Sequence, residues 1–185
     1  MTQQELNWVR NGRSKIGLKE IPGAKHEPEI INMIRLAESA TKQNVAWLFG
    51  KDKNGKTNYN DEVAWCGTFM AYCFATAGLE HHIPKEFYRA KEWAEKGTAL
   101  NKPAYGAVVV FNRTGGGHVG IIVGQDKHGN LMVLGGNQNN AVNIMPFAKD
   151  RVLAYRWLGT QKTPWASRFD LPVLNSNGKV STNEA

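Results

Sequence analysis

The chain has few cysteines and no long apolar run, and each absence excludes a class of protein. Its 185 residues include two cysteines, Cys66 and Cys73. On one helix these would lie about two turns, roughly 10 Å, apart along the axis, which is too far for a disulfide. A disulfide scaffold is therefore excluded. No apolar run approaches membrane-spanning length, and residues 1–10 lack a basic start followed by an apolar stretch. We therefore expect no membrane span and no ordinary signal peptide.

The charged residues are unbalanced but scattered. Twenty-three Lys and Arg residues against 16 Asp and Glu residues give a formal net charge of +7. A basic surface attracts polyanions such as nucleic acid, acidic lipid or an anionic cell wall. Zinc-finger spacing, an RNA-binding aromatic signature and a recognition-helix pattern are all absent, so we expect no nucleic-acid partner. The charge favours a polyanionic partner without choosing one, and ordinary solubility is the alternative.

The order of apolar patterns predicts an α+β domain. Helical patterns cover residues 3–14, a segment that opens at Glu27, and residues 63–78, which are apolar on nearly all sides. From residue 103 onward the period is that of strands and hairpin turns. We predict N-terminal helices packed on an antiparallel sheet of about five strands, in a catalytic domain of residues 1–160. Residues 161–185 are predicted to be a polar tail, extended or disordered. The strands are expected at 107–111, 119–123, 131–134, 142–145 and 152–157.

The two thiols have different surroundings in the sequence. Cys66 stands where a polar loop of residues 50–61 turns into the buried helix. A helix N-terminus favours an anion, so this position is expected to lower the thiol pKa and activate it as a nucleophile. Cys73 lies in the middle of the same helix and is expected to be a neutral, inert thiol.

A cysteine nucleophile needs a base, and His118 is the best placed of the five histidines. It follows three glycines and starts an apolar strand that would fix its position. The imidazole in turn needs an orienting partner. Asn137 and Gln138 end the strand that pairs with the His118 strand, so either amide oxygen is expected to accept the Nδ1 proton. The other histidines read as surface residues: His26, His81, His82 and His128.

Four motifs stand in a fixed order along the chain. They are Trp65-Cys-Gly, Gly106-Ala-Val-Val-Val-Phe, Gly117-His-Val-Gly and Leu134-Gly-Gly-Asn-Gln. Together they resemble the NlpC/P60 and CHAP-like superfamily of cysteine peptidases, over about residues 14–158. The resemblance implies a papain-like fold without a metal or cofactor. It also makes Cys66 the nucleophile, His118 the general base and Asn137 the orienting residue. The residues expected to line the substrate groove are Tyr59, Asp61, Trp65 and Gln138.

The resemblance implies a monomeric peptidoglycan hydrolase. It would cut an amide bond, either as a stem-peptide endopeptidase or as an N-acetylmuramoyl-L-alanine amidase. We expect it to be made in the cytoplasm and to act in the periplasm or cell wall, as a phage lysin or an interbacterial effector. An effector implies an immunity protein and a component of a secretion apparatus as partners.

Three alternatives to this function were weighed. A non-catalytic cell-wall-binding module would keep the fold without the reaction. The same three residues could also serve an acyltransferase or a protease acting on a protein substrate, because a triad does not encode its substrate. A zinc peptidase is disfavoured, because adjacent residues such as His81 and His82 do not face one another on a helix and no HExxH motif is present.

Overall fold

Three α-helices precede a six-stranded antiparallel sheet in the part of the chain that the structure describes. The structure is a computed structural model that describes residues 5–23, 25–176 and 179–181. The helices are α1 (Asn7–Arg13), α2 (Pro28–Thr41) and α3 (Cys66–Ala75). The strands are β1 (Thr98–Leu100), β2 (Val108–Arg113), β3 (Gly116–Gln125), β4 (Leu131–Gly135), β5 (Asn143–Phe147) and β6 (Val152–Trp157). Their order in the sheet is β1-β6-β2-β3-β4-β5.

The helix α3 forms the centre of the core. Eight of its ten residues are buried, and it packs against α1, α2, β3 and β4. Gly12 lets α1 approach closely, because a Cβ there would lie 3.0 Å from Leu134 Cδ2 and 3.1 Å from Cys73 Sγ. The sequence prediction of a helix buried on nearly all sides is confirmed. The first residue of α3, Cys66, therefore lies where the helix layer meets the sheet.

The α+β, papain-like fold class predicted from the sequence is confirmed, with one strand more than expected. The additional strand is β1, which pairs antiparallel with β6. Its three residues are too short to show a strand period, so its pairing partner and not its own pattern determines its structure. Between α3 and β1 lies a short 3-10 helix, Ala90–Glu95. The first helix begins at Asn7, and residues 3 and 4 of its predicted span lie outside the described residues.

The segment after β6 runs along the body of the domain. Apart from a short 3-10 helix at Ala166–Phe169, its described part contains no helix or named strand. Backbone hydrogen bonds join Tyr105 to Arg168, Gln125 to both Pro172 and Leu174, and Ser181 to Pro146. The division of the chain at residues 160 and 161 stays a prediction.

Within the described ranges, no helix combines the length and the apolar character needed to cross a membrane.

Candidate active site

The Cys66 thiol is held between the start of α3 and the edge of β3. Cys66 is the first residue of α3 and is 6% exposed. Its sulfur accepts hydrogen bonds from the backbone N–H groups of Val119 and Gly67. Val119 follows His118 directly in β3, so this contact brings the thiol to the residue beside the predicted base. The two members of the predicted pair thus come from elements that lie far apart in the sequence.

Burial is the dominant influence on the pKa of the Cys66 thiol. Burial raises the pKa of the Cys66 thiol above its ordinary value, and this effect outweighs the others. The hydrogen bonds from Val119 and Gly67 and the positive charge of Arg113 act in the opposite direction. The sequence predicted that the helix start lowers the thiol pKa. That prediction is wrong for the overall pKa, which is raised because the sulfur is removed from water. Burial raises the pKa of Cys73 as well, as expected for an inert thiol, and both cysteines are free.

The imidazole of His118 is fixed in orientation by two aromatic rings. His118 is 1% exposed and pairs with Phe111 across the β2–β3 ladder. Its ring is parallel to that of Phe147, with an interplanar angle of 1° and centroids 5.3 Å apart. The Phe111 ring lies 6.3 Å away at 23°. Both separations fall within the normal range for stacked rings. The ring of His118 therefore has little freedom to rotate, as its strand position predicted.

Gln138 contacts the imidazole through its amide oxygen. Gln138 Oε1 lies 3.0 Å from His118 Nε2. The amide nitrogen of Gln138 donates to Asn143 Oδ1 at 2.7 Å, to Asn143 O at 3.0 Å and to Val133 O at 3.3 Å. Asn143 Nδ2 returns a hydrogen bond to the backbone oxygen of Gln138 at 2.7 Å. Since all these partners accept from the Gln138 nitrogen, only its oxygen faces the histidine.

This network determines which nitrogen of His118 carries the proton. A glutamine oxygen can only accept, so Nε2 must donate to it. In the neutral imidazole, Nδ1 then bears the lone pair. The sequence analysis assigned the contact with the orienting amide to Nδ1, and the structure places it at Nε2. The reason is geometric: Gly135, the last residue of β4, lies at the Nε2 side of the ring, where a Cβ would be 3.2 Å from Nε2.

The amide that reaches His118 belongs to Gln138 and not to Asn137. The backbone of Asn137 has a φ of +57°, and this left-handed turn directs the next side chain toward β3. Asn137 is 3% exposed, and its Oδ1 accepts no hydrogen bond from any described residue. Gly135 makes the contact possible, because a Cβ there would lie 2.4 Å from Gln138 Oε1 and 3.2 Å from His118 Nε2.

The remaining predicted groove residues have structural contacts. The Tyr59 hydroxyl donates to Glu38, at 3.1 Å to Oε1 and 2.9 Å to Oε2. The Trp65 indole is 1% exposed and donates to Glu20 Oε1 at 2.6 Å. Their hydrogen-bonding groups are thus engaged within the protein. The structure gives no contact that directs either side chain toward a substrate.

Asp61, another of the predicted groove residues, is fully buried at 0% exposure. Its Oδ2 accepts from the backbone nitrogens of Ile21 at 3.0 Å and Glu27 at 2.8 Å, and its Oδ1 lies 2.9 Å from His26 Nδ1. Burial raises its pKa, but these hydrogen bonds outweigh that effect and hold the pKa below the ordinary value. Asp61 therefore fastens the segment before α2 to the loop before α3. His26, read from the sequence as a surface residue, is part of this structural contact.

Sequence reasoning missed Asn143 and Arg113. Asn143 sits at the start of a strand, with no pattern that sets it apart from the other asparagines around it. Arg113 ends β2, and the effect of its charge on the Cys66 thiol arises only because folding brings the two residues together. Among the described residues, no group of three or more His, Cys, Asp or Glu side chains could hold a metal ion.

Helices on an antiparallel sheet, with a thiol at a helix start and a histidine in a neighbouring strand, are consistent with a papain-like fold. The CHAP domain family model matches residues 58–137 of this chain. The match is less than half of the chain but includes Cys66 and His118, and it ends one residue before Gln138. The resemblance predicted from the motifs is therefore confirmed for this segment. No curated protein and no solved structure matches the chain. CHAP domains are in general cysteine- and histidine-dependent amidases or peptidases, and the match supports an activity related to peptidoglycan.

Proposed function

We propose that this protein is a peptidoglycan hydrolase that cleaves an amide bond, with Cys66 as nucleophile and His118 as general base. The observation that carries the proposal is the chain of contacts from Cys66 through Val119 to His118 and Gln138. A nucleophile, a base and an orienting group in sequence are the signature of covalent acyl-transfer catalysis. The contacts favour Gln138 over Asn137 as the orienting residue, and a role for Asn137 stays a prediction.

The reaction would begin with a proton transfer. The thiol proton of Cys66 passes to Nδ1 of His118, and the resulting imidazolium keeps its Nε2 proton on Gln138 Oε1. The thiolate then attacks the scissile carbonyl carbon, and Nδ1–H donates its proton to the leaving amine. Water, deprotonated by Nδ1, hydrolyses the acyl-thioester and regenerates the thiol. Because burial raises the thiol pKa, the thiolate forms only together with the imidazolium.

The oxyanion of the tetrahedral intermediate would be stabilised at the start of α3. The backbone N–H of Cys66 is among the first four of the helix, which have no intrahelical acceptor. Preorganised N–H donors of this kind contribute strongly to transition-state stabilisation. The N-cap residue, Trp65, makes no side-chain capping hydrogen bond that would occupy such a donor.

The charge of the chain supports an anionic substrate. The net charge of +7 and the Arg113 cation near the thiol would attract the carboxylates of stem peptides. The route to the wall, as a phage lysin or as an effector with an immunity protein, stays a prediction. Expression directed to the periplasm should be far more toxic to bacteria than cytoplasmic expression if either holds. Equal harmlessness in both compartments would contradict both.

The proposed function is tested by digesting purified sacculi and identifying the products by mass spectrometry. The wild-type protein should release fragments with new amine ends, and their masses identify the cleaved bond. Cys66→Ala and His118→Ala should release none while retaining the wild-type circular dichroism spectrum. Binding of all three proteins to sacculi without release by any of them would favour a non-catalytic wall-binding module.

A further inference from the structure

Two aromatic rings pack against each other at the surface, an exposed one on Trp47 and a half-buried one on Tyr88. Trp47 is 64% exposed, one of few large apolar side chains in that state among the described residues. Its ring packs edge-on against Tyr88, with centroids 5.5 Å apart and an interplanar angle of 83°. Tyr88 is supported from beneath by the buried Phe87, 5.8 Å away at 80°. The pair is thus a fixed surface feature, and its exposure is not explained by the packing of the core.

The pair lies beside the nucleophile. Gly67 follows Cys66, and a Cβ at Gly67 would lie 2.0 Å from the carbonyl oxygen of Phe87 and 3.3 Å from the carbonyl carbon of Tyr88. The backbone that carries Tyr88 therefore rests directly on the first turn of α3. Only a glycine at position 67 permits this approach.

The same segment continues to the strand that carries the base. A Cβ at Gly117, the residue before His118, would lie 3.1 Å from Lys91 Cγ and 3.4 Å from Ala90 Cβ. Residues 87–91 thus run from the helix of the nucleophile to the start of β3. This segment, with the Trp47 ring packed on Tyr88, is a rim that passes beside Gly67 and Gly117.

Cations accompany the rings on this rim. The Arg89 guanidinium lies 5.9 Å from the centre of the Tyr88 ring and pairs with Glu86 at 3.2 Å. Lys91 is exposed, and the charge of Arg113 reaches the Cys66 thiol. Aromatic faces beside positive charges match a ligand that has both apolar surfaces and anionic groups.

We propose that Trp47 and Tyr88 form a binding subsite for the glycan strand of peptidoglycan. This inference rests on the proposed function. The C–H face of an N-acetylated sugar can lie on an exposed indole, while the carboxylates of the attached stem peptide meet the neighbouring cations. Two rings offer too little area for a protein interface but enough for a sugar ring. A sugar held beside Gly67 favours cleavage of the amide nearest the glycan, between the lactate and L-alanine.

The test measures binding separately from cleavage. In the full-length Cys66→Ala protein, calorimetry with a soluble N-acetylglucosamine oligosaccharide and with a sugar-free stem peptide gives two dissociation constants. Trp47→Ala should weaken oligosaccharide binding about tenfold, close to 1.4 kcal/mol, and leave peptide binding unchanged. Trp47→Phe should restore part of the affinity. Trp165→Ala is the matched control, since Trp165 is 58% exposed but lines a separate depression with Leu6 and Leu79.

Three results would overturn the subsite: no oligosaccharide binding by the Cys66→Ala protein, unchanged binding after Trp47→Ala, or equal weakening by Trp165→Ala. Thermal melting of each variant identifies any loss of folding. If Trp47→Ala does not fold, the oligosaccharide affinity of Trp47→Phe is compared with that of the parent protein instead. Failure of the proposed function has a different signature, because wild-type protein would bind the oligosaccharide yet release nothing from sacculi.

Discussion

Asn143 offers a sharp test of how the imidazole is held. Its Oδ1 accepts from Gln138 Nε2, and its Nδ2 donates to the Gln138 backbone oxygen, both at 2.7 Å. Asn143→Ala removes both hydrogen bonds and leaves Gln138 Nε2 with two backbone acceptors. We expect the Gln138 amide to be held less tightly, so that its oxygen leaves His118 Nε2 for part of the time. Without that acceptor the Nε2–H tautomer is no longer favoured, and the tautomer with the proton on Nδ1 cannot accept the thiol proton.

The size of the effect follows from the number of hydrogen bonds lost. A protein hydrogen bond contributes about 0.5–1.5 kcal/mol net, and the bond to Asn143 Oδ1 is the one that holds the amide, while the loss of the bond to the Gln138 backbone oxygen adds freedom to the segment; together we take about 1–2 kcal/mol for the positioning of the amide oxygen. At about 1.4 kcal/mol for each factor of ten, kcat/KM should fall about 5- to 30-fold. The fall should appear in kcat with KM unchanged, because Asn143 acts through Gln138 and not on the substrate.

A second readout distinguishes this positioning role from general destabilisation. The rate of Cys66 alkylation by iodoacetamide, followed across pH by intact mass, reports the thiolate without requiring a wall substrate. The alkylation midpoint is the pH at which this rate reaches half of its maximum. An imidazolium without the Gln138 oxygen is less stable, so the alkylation midpoint should rise in Asn143→Ala. Asn143→Asp keeps an acceptor for Gln138 Nε2 and should be intermediate. Asn101→Ala, which alters an exposed asparagine on another part of the surface, should match the wild type.

The reasoning would be refuted by an Asn143→Ala protein with wild-type kcat. It would also be refuted if kcat fell only in proportion to a loss of folded protein, with the alkylation midpoint unchanged.

Three further predictions follow from the site. Burial raises the pKa of the Cys66 thiol and the Arg113 charge opposes this, so Arg113→Ala should move the alkylation midpoint further upward. An unchanged midpoint would contradict the effect of the Arg113 charge on the thiol. Gly135→Ala should displace Gln138 and lower kcat about tenfold or more while the melting temperature changes little, since its Cβ would lie 2.4 Å from Oε1; wild-type kinetics would count against Gln138 as the orienting residue. Asp61→Asn should lower the free energy of unfolding at pH 7 by about 1–3 kcal/mol. Because the folded pKa of Asp61 is depressed, the difference should shrink as pH falls below about 4, and a difference independent of pH would contradict the role of its charge.

The sequence predicted the fold class well because the apolar patterns are strong. Residues 63–78 have no polar face, and the strands after residue 103 alternate with clear turn residues, so both appear in the structure close to their expected places. β1 was missed because three residues carry no period, and only its pairing with β6 makes it a strand.

The candidate site was only partly predictable, for a physical reason. Cys66 and His118 stand at element boundaries that sequence patterns reveal. The choice between Asn137 and Gln138 depends on one left-handed backbone residue and on the missing side chain of Gly135. Asn143 and Arg113 act through contacts formed in three dimensions. The pKa of Cys66 also depends on burial of its sulfur. The sequence indicates that the helix as a whole is buried, but not that the sulfur of its first residue is.

The most direct test of the account is to trap the acyl-enzyme. Wild-type protein mixed with soluble muropeptides is quenched in acid within one turnover and digested, and the peptides that contain Cys66 and Cys73 are weighed by mass spectrometry. The account predicts an added acyl fragment on Cys66 alone, absent from Cys66→Ala and accumulating to the same level in Cys73→Ala. Release of muropeptide products with no adduct on Cys66, or by the Cys66→Ala protein, would contradict it.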